Sequence, residues 1–206
     1  MNKKLLVQIL FYGSLWGILE ATLGHVLHYI PATIAGAIMF PIAGGILYKA
    51  YDATKSKGAL IYIGMVAAMI KSIDLLLPQF TIYKTINPMI SILLESLLVV
   101  LVVRMLVSDN MVNKYTALPI ASVSWRVVFA LWMFFLHTTT GLNVPYIGSV
   151  TATLNFVVIS GLLSGIMASV LVFGLDKVKF RLPKLSENLV LTTCLFAIAL
   201  ISTYML

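Results

Sequence analysis

Seven apolar runs, at roughly 5–28, 32–49, 58–77, 86–107, 116–137, 149–175 and 187–205, occupy nearly the whole chain and are separated by short stretches carrying charge, proline or glycine. A helix needs about 20 apolar residues to cross the hydrocarbon core of a bilayer, so these runs have the length of spans and leave almost nothing for a soluble domain. With 61% hydrophobic and 10% charged residues among 206 and a mean hydropathy of +1.04, the chain reads as a single integral membrane domain over 1–206. Every backbone amide in hydrocarbon must be satisfied within the protein, and the alternating pattern of barrel strands is absent, so helices are the spanning form. The expected fold is an all-α polytopic membrane helix bundle of seven spans. Six is the alternative if the short second or last run is re-entrant or tilted. The opening MNKKLLVQILFYGSLWG resembles the charged and apolar parts of a signal peptide, but Glu20 follows at once with no convincing A-x-A cleavage site, and the segment reads as a retained first helix.

The cations set an orientation. Lys3 and Lys4, then Lys49, Lys55 and Lys57, then Arg104 and Lys114, then Lys177, Lys179, Arg181 and Lys184 fall at alternate ends of the runs, and the opposite side has Lys84 alone. The positive-inside rule then puts the N-terminus in the cytoplasm and, with seven spans, the C-terminus outside. A cell membrane, expected to be a bacterial inner membrane, is the implied location. The net charge of +7 needs no nucleic acid to explain it, because a basic inner loop such as DKVKFRLPK is a topology determinant that touches anionic lipid. Cys194 is the sole cysteine, which excludes an intramolecular disulfide and a cysteine-based metal site.

Five ionisable residues remain inside the runs: Glu20, Lys71, Asp74, Glu95 and Arg126. A charge at the centre of a bilayer costs about 2.5–3.5 kcal/mol on insertion scales, so each is a functional hypothesis by default. At about 1.5 Å of rise per residue, Glu20 and Lys71 lie about 9–12 Å below the outer end of their runs, Asp74 about 5 Å, Glu95 about 14 Å and Arg126 about 16 Å. His25, His28 and His137 fall at the outer rim. The polarity is thus gathered in the outer half, as in a cavity that opens outward and is closed below by apolar packing. Faces agree with depths: Gly13, Gly17, Glu20, Gly24 and His28 share one arc of the first helix, and Gly64, Ala67, Ala68, Lys71 and Asp74 share one face of the third. Asn87, Ser91 and Glu95 follow one another at four-residue spacing on the fourth, and Arg126, Ala130, Met133 and His137 line up on the fifth. Two roles are open to these charges: pairing with each other, Lys71 with Glu20 and Arg126 with Glu95, or contact with a ligand. The candidate binding residues are Glu20, His28, Lys71, Asp74, Glu95, Arg126 and His137, with no catalytic residue, metal site or cofactor assigned.

Motifs of other chemistries are missing from the sequence: a Walker A loop, H-E-x-x-H, zinc-type Cys/His spacing, G-x-S-x-G and an internal repeat. GSLWGILEATLG places small residues at four-residue spacing, and PATIAGAIMFPIAGG is a second small-residue stretch. In these stretches, and in its length and lack of an ATPase motif, the chain resembles the substrate-binding S component of energy-coupling factor vitamin transporters. That resemblance implies a vitamin or related micronutrient captured outside, a first-helix surface that docks on a transmembrane partner, and transport driven by separate ATPase subunits. Members usually have six helices, one fewer than the seven read here. Two further readings are a b-type haem protein using His137 with His25 or His28 as axial ligands, and a membrane enzyme using Glu20, Lys71 or Arg126 on a lipid-linked or phosphorylated substrate. Ligand identity is set by pocket shape and charge and cannot be read from any motif.

Overall fold

The computed structural model describes residues 2–27, 32–78, 81–144, 146–177 and 185–205. They form seven helical rods: α1 (Lys3–Leu27), α2 (Ala32–Thr54), α3 (Lys57–Lys71), α4 (Ile82–Leu106), α5 (Met111–Thr140), α6 (Val150–Leu154 continued by Ser160–Lys177) and α7 (Leu189–Met205). A 3-10 segment, Ser72–Leu76, extends α3, and a π turn, Asn155–Ile159, joins the two parts of α6. Five rods are long and apolar enough to cross a membrane, Lys3–Leu27, Lys57–Leu76, Ile82–Leu106, Met111–Thr140 and Val150–Gly174, while Leu189–Met205 is apolar but shorter. The protein is a multi-pass helical membrane protein.

The turns between rods are fixed by caps. Ser56 Oγ accepts the Ala59 N–H at 3.3 Å, Asn110 Oδ1 accepts those of Val112 and Asn113, and Ser149 Oγ accepts that of Ala152 at 3.1 Å. Each side chain satisfies an amide that the first helical turn would leave orphaned. At the far end of α5, Gly141 takes φ +70°, which a residue without Cβ adopts freely, and its N–H closes onto the His137 carbonyl at 2.9 Å.

Six rods pack in a closed cyclic order, α1, α3, α4, α5, α6, α2 and back to α1, and α7 lies outside that ring against α1. Lys4 at the start of α1 and Glu187 just before α7 form an ion pair at 2.8 Å that ties the added rod to the ring. Lipid tails are as apolar as leucine, so rods in a bilayer associate through close contact at small residues. Gly13 and Gly17 show where this happens: a Cβ on either would come within 2.6 Å of Val66 or Ile70 on α3. Within GSLWGILEATLG, Gly13 and Gly17 are thus covered by α3 of the same chain. Leu101, Leu131, Val170 and Ile201 point outward and are exposed, a face that suits lipid and would be an aggregation hazard in water.

Polar loop ends sit at two levels. The lower level holds Lys3, Lys55, Lys57, Arg104 and Lys114, and the upper level holds the ends of α1, α3 and α5 and the starts of α4 and α6. Going down α2 and α5, the interior is filled by Phe40, Ala43, Leu47, Ala121 and Leu118, all without solvent exposure. That packing closes the lower half of the ring and leaves the upper half for a site.

Candidate functional site

A cavity of about 560 Å³ opens at the upper level. It is walled by α1 through Glu20 and Gly24, by α2 through Gly36 and Met39, by α4 through Tyr83, Asn87, Ser91 and Glu95, and by α5 through Trp125, Phe129 and Met133. The segment joining α5 to α6 folds over it with Leu142, Asn143, Val144 and Tyr146, and α6 adds Phe156. Apolar walls with a few converging polar groups, in this volume range, are the usual makeup of a small-molecule site.

The two carboxylates differ in how they are held. Glu20 Oε1 accepts the indole N–H of Trp16 one turn earlier on α1, at 3.2 Å, which keeps the carboxyl turned into the ring. Glu95 is 4% exposed, and its Oε2 has no hydrogen-bond partner among the described residues. The Trp125 indole nitrogen, also in the cavity wall, is likewise unpartnered among them. A buried polar group without a partner loses its hydration for no return, so both atoms are suited to a bound molecule.

Arg126 was expected to face a ligand or to bond Glu95 directly. The structure spends it on the scaffold: Nη1 donates to Ser122 Oγ at 2.6 Å and to the Ser122 carbonyl at 3.2 Å, and Nη2 donates to the Gly36 carbonyl of α2 at 2.9 Å. Its guanidinium lies 4.5 Å from the Trp125 ring centre and 5.8 Å from that of Phe156, both within cation–π range. One side chain therefore ties α2, α5 and α6 together behind the cavity wall. Glu95 stands within electrostatic reach of it but is not bonded to it.

Lys71 and Asp74 do not line the cavity. Lys71 Nζ meets Asp74 Oδ2 at 2.7 Å, with both side chains 4% exposed. The reason is local: α3 tightens into a 3-10 turn at Ser72, and in that geometry residues three apart eclipse each other, which sets Asp74 directly over Lys71. The expected Lys71–Glu20 bond is replaced by this pair, with Glu20 left as an electrostatic neighbour. Asp74→Asn should strand a buried ammonium and destabilise the protein by about 3–5 kcal/mol. Detergent-solubilised protein titrated with a denaturing surfactant measures this, and a variant as stable as the parent would show that the pair contributes nothing.

His137 remains at the rim, exposed, with Nδ1 2.7 Å from the Leu142 carbonyl. It holds the start of the segment that covers the cavity and is not among the lining residues. His28 lies outside the described residues.

The aromatic wall was not anticipated from sequence. Phe156 enters the cavity from the π turn, where the Ser160 N–H reaches back to the Asn155 carbonyl; such turns insert one extra residue and re-aim a side chain, and are frequent at functional sites. Tyr146 stacks on Phe156 with ring centres 4.8 Å apart, and Phe129 faces Tyr146 at 6.4 Å. Burial pushes the Tyr146 hydroxyl up to about 12, so it stays protonated at neutral pH. Asn87 and Ser91 belong to the polar stripe that leads to Glu95, and that stripe was the signal that could have found them. No protein-family model, curated protein or solved structure matches the chain.

Proposed function

We propose that this chain is a membrane-embedded capture subunit that binds a small organic molecule, a vitamin or related micronutrient, at the outer face of a bacterial inner membrane for uptake. The observation that carries this reading is the cavity itself, about 560 Å³, walled at one end of the ring and closed by apolar packing toward the other. The level opposite the cavity carries the loop cations apart from Lys84, so the positive-inside rule turns the cavity outward, with seven spans, a cytoplasmic N-terminus and an external C-terminus. A ring of six rods with a seventh outside also accommodates the resemblance to S components, which usually have six. The lower ends, where α1 begins and α5 begins, are then the side available to separate transmembrane and ATPase subunits. Binding without turnover is expected of the isolated chain.

The test combines location and content. In a Cys194→Ser background, Thr81→Cys at the cavity rim should react with a membrane-impermeant maleimide in intact cells, and Asp109→Cys should react after permeabilisation alone. Native mass spectrometry of gently isolated protein should show a stoichiometric small molecule. Labelling of Asp109→Cys from outside, with Thr81→Cys protected, would reverse the orientation and end the uptake reading.

A further inference from the structure

We propose that the ligand is an organic cation: an ammonium or protonated nitrogen base on an apolar body, with its charge set between Glu20 and Glu95 and its body against Phe129, Tyr146 and Phe156. This rests on the capture reading and names the ligand class.

The charge pattern of the cavity is the first ground. Glu20 and Glu95 both line it, from rods on different sides of the opening. The cations within the spans are committed elsewhere, Lys71 to Asp74 and Arg126 to Ser122 and Gly36, and neither is among the lining residues. Lys84 lines the rim, but it is exposed, where water and salt screen it. Arg126 offsets one of the two carboxylates through the wall, so once an incoming cation ionises both, one negative charge is in surplus at the cavity to hold it. The second ground is Glu95 Oε2, without a partner among the described residues in a side chain 4% exposed. An incoming N–H or ammonium would supply the missing donor.

The walls point the same way. Stacked Tyr146 and Phe156, with Phe129 beside Tyr146, offer ring faces whose quadrupoles attract a cation within about 6 Å. An anion would find these faces and both carboxylates repulsive. The Trp125 N–H, without a partner among the described residues, is a donor that a hydroxyl or carbonyl on the ligand body would meet.

A matched series of probes separates charge from shape: 2-phenylethylamine, 2-phenylethanol and phenylacetate, added to protein in lipid nanodiscs, with binding followed by tryptophan fluorescence. The amine should bind at least tenfold more tightly than the alcohol, and phenylacetate more weakly still. Glu95→Gln should erase the preference for the amine, whereas Glu95→Asp should keep it. Unliganded melting of each variant shows that it is folded. Equal or tighter binding of the alcohol or of phenylacetate overturns the cation proposal, and so does a preference that survives both Glu95→Gln and Glu20→Gln. If no probe binds, the proposal also falls, and the copurifying molecule decides the reading beneath it: an uncharged or anionic compound leaves capture standing, and an empty protein removes both.

Discussion

Replacing Arg126 by glutamine should destabilise the bundle by about 3–5 kcal/mol, the cost of breaking a buried charge network by removing one member. The side chain has no solvent exposure. Its two terminal nitrogens make three hydrogen bonds, to both acceptors of Ser122 and to the Gly36 carbonyl. Pro41 cannot give an N–H to the Ala37 carbonyl, so the first turns of α2 are short of backbone bonds in just the region where Arg126 arrives. Glutamine can keep one of the three bonds and none of the charge, and Glu95 then loses its nearby cation. Lysine should be intermediate, because one ammonium keeps the charge but not the planar fork that spans Ser122 and Gly36. Adding Glu95→Gln to Arg126→Gln should cost less than the two single changes combined, since the carboxylate stranded by the first is neutralised by the second. Surfactant titration of the four proteins measures the cycle. A variant that unfolds like the parent but no longer holds its ligand would make Arg126 a ligand contact and not a brace.

How much of this arrangement could be read beforehand follows from what a bilayer does to a sequence signal. In water a helix shows its buried face by apolar periodicity, but in lipid both faces are apolar and that periodicity fades. Only rare polar residues mark a face. Glu20 on α1 and Asn87, Ser91 and Glu95 on α4 were therefore legible, and all four line the cavity. Phe129, Tyr146 and Phe156 were not, since an inward phenylalanine and a lipid-facing one look alike in sequence. The π turn that aims Phe156 and the 3-10 turn that pairs Asp74 with Lys71 are changes of helical register. A projection at 100° per residue assumes that register is constant, so it carried Lys71 and Asp74 into the cavity wall. Arg126 is fully buried, but a charge inside an apolar run does not distinguish a brace from a contact, because its partners are backbone and hydroxyl oxygens of residues that carry no charge signal.

The second large effect is expected from Gly165→Val, at the contact between α5 and α6. A Cβ built on Gly165 would run into the backbone of Pro119 and stand 3.0 Å from the Leu118 carbonyl oxygen. Backbone atoms cannot rotate away as a flexible side chain could, so the two rods must separate. Pro119 lies inside α5 and has no N–H for the Tyr115 carbonyl one turn below it. That carbonyl is served from the neighbouring rod instead: Ser169 Oγ donates to it at 3.2 Å. Ser169 is one turn beyond Gly165 on α6, so the close approach that the glycine permits is also what brings the hydroxyl within reach. Valine should therefore combine an overpacking cost of about 1–3 kcal/mol with the loss of the Ser169–Tyr115 hydrogen bond, about 0.5–1.5 kcal/mol more. Ser169→Ala removes the bond while leaving the contact intact, and should cost about 0.5–2 kcal/mol. Gly174, whose Cβ would meet nothing within 4 Å, provides the comparison: Gly174→Val on the same rod should unfold with the parent. Surfactant titration ranks the three variants. If Gly165→Val and Gly174→Val are equally stable, α5 and α6 are not held by backbone contact at Pro119, and the bond from Ser169 would have to form at a separation that valine allows.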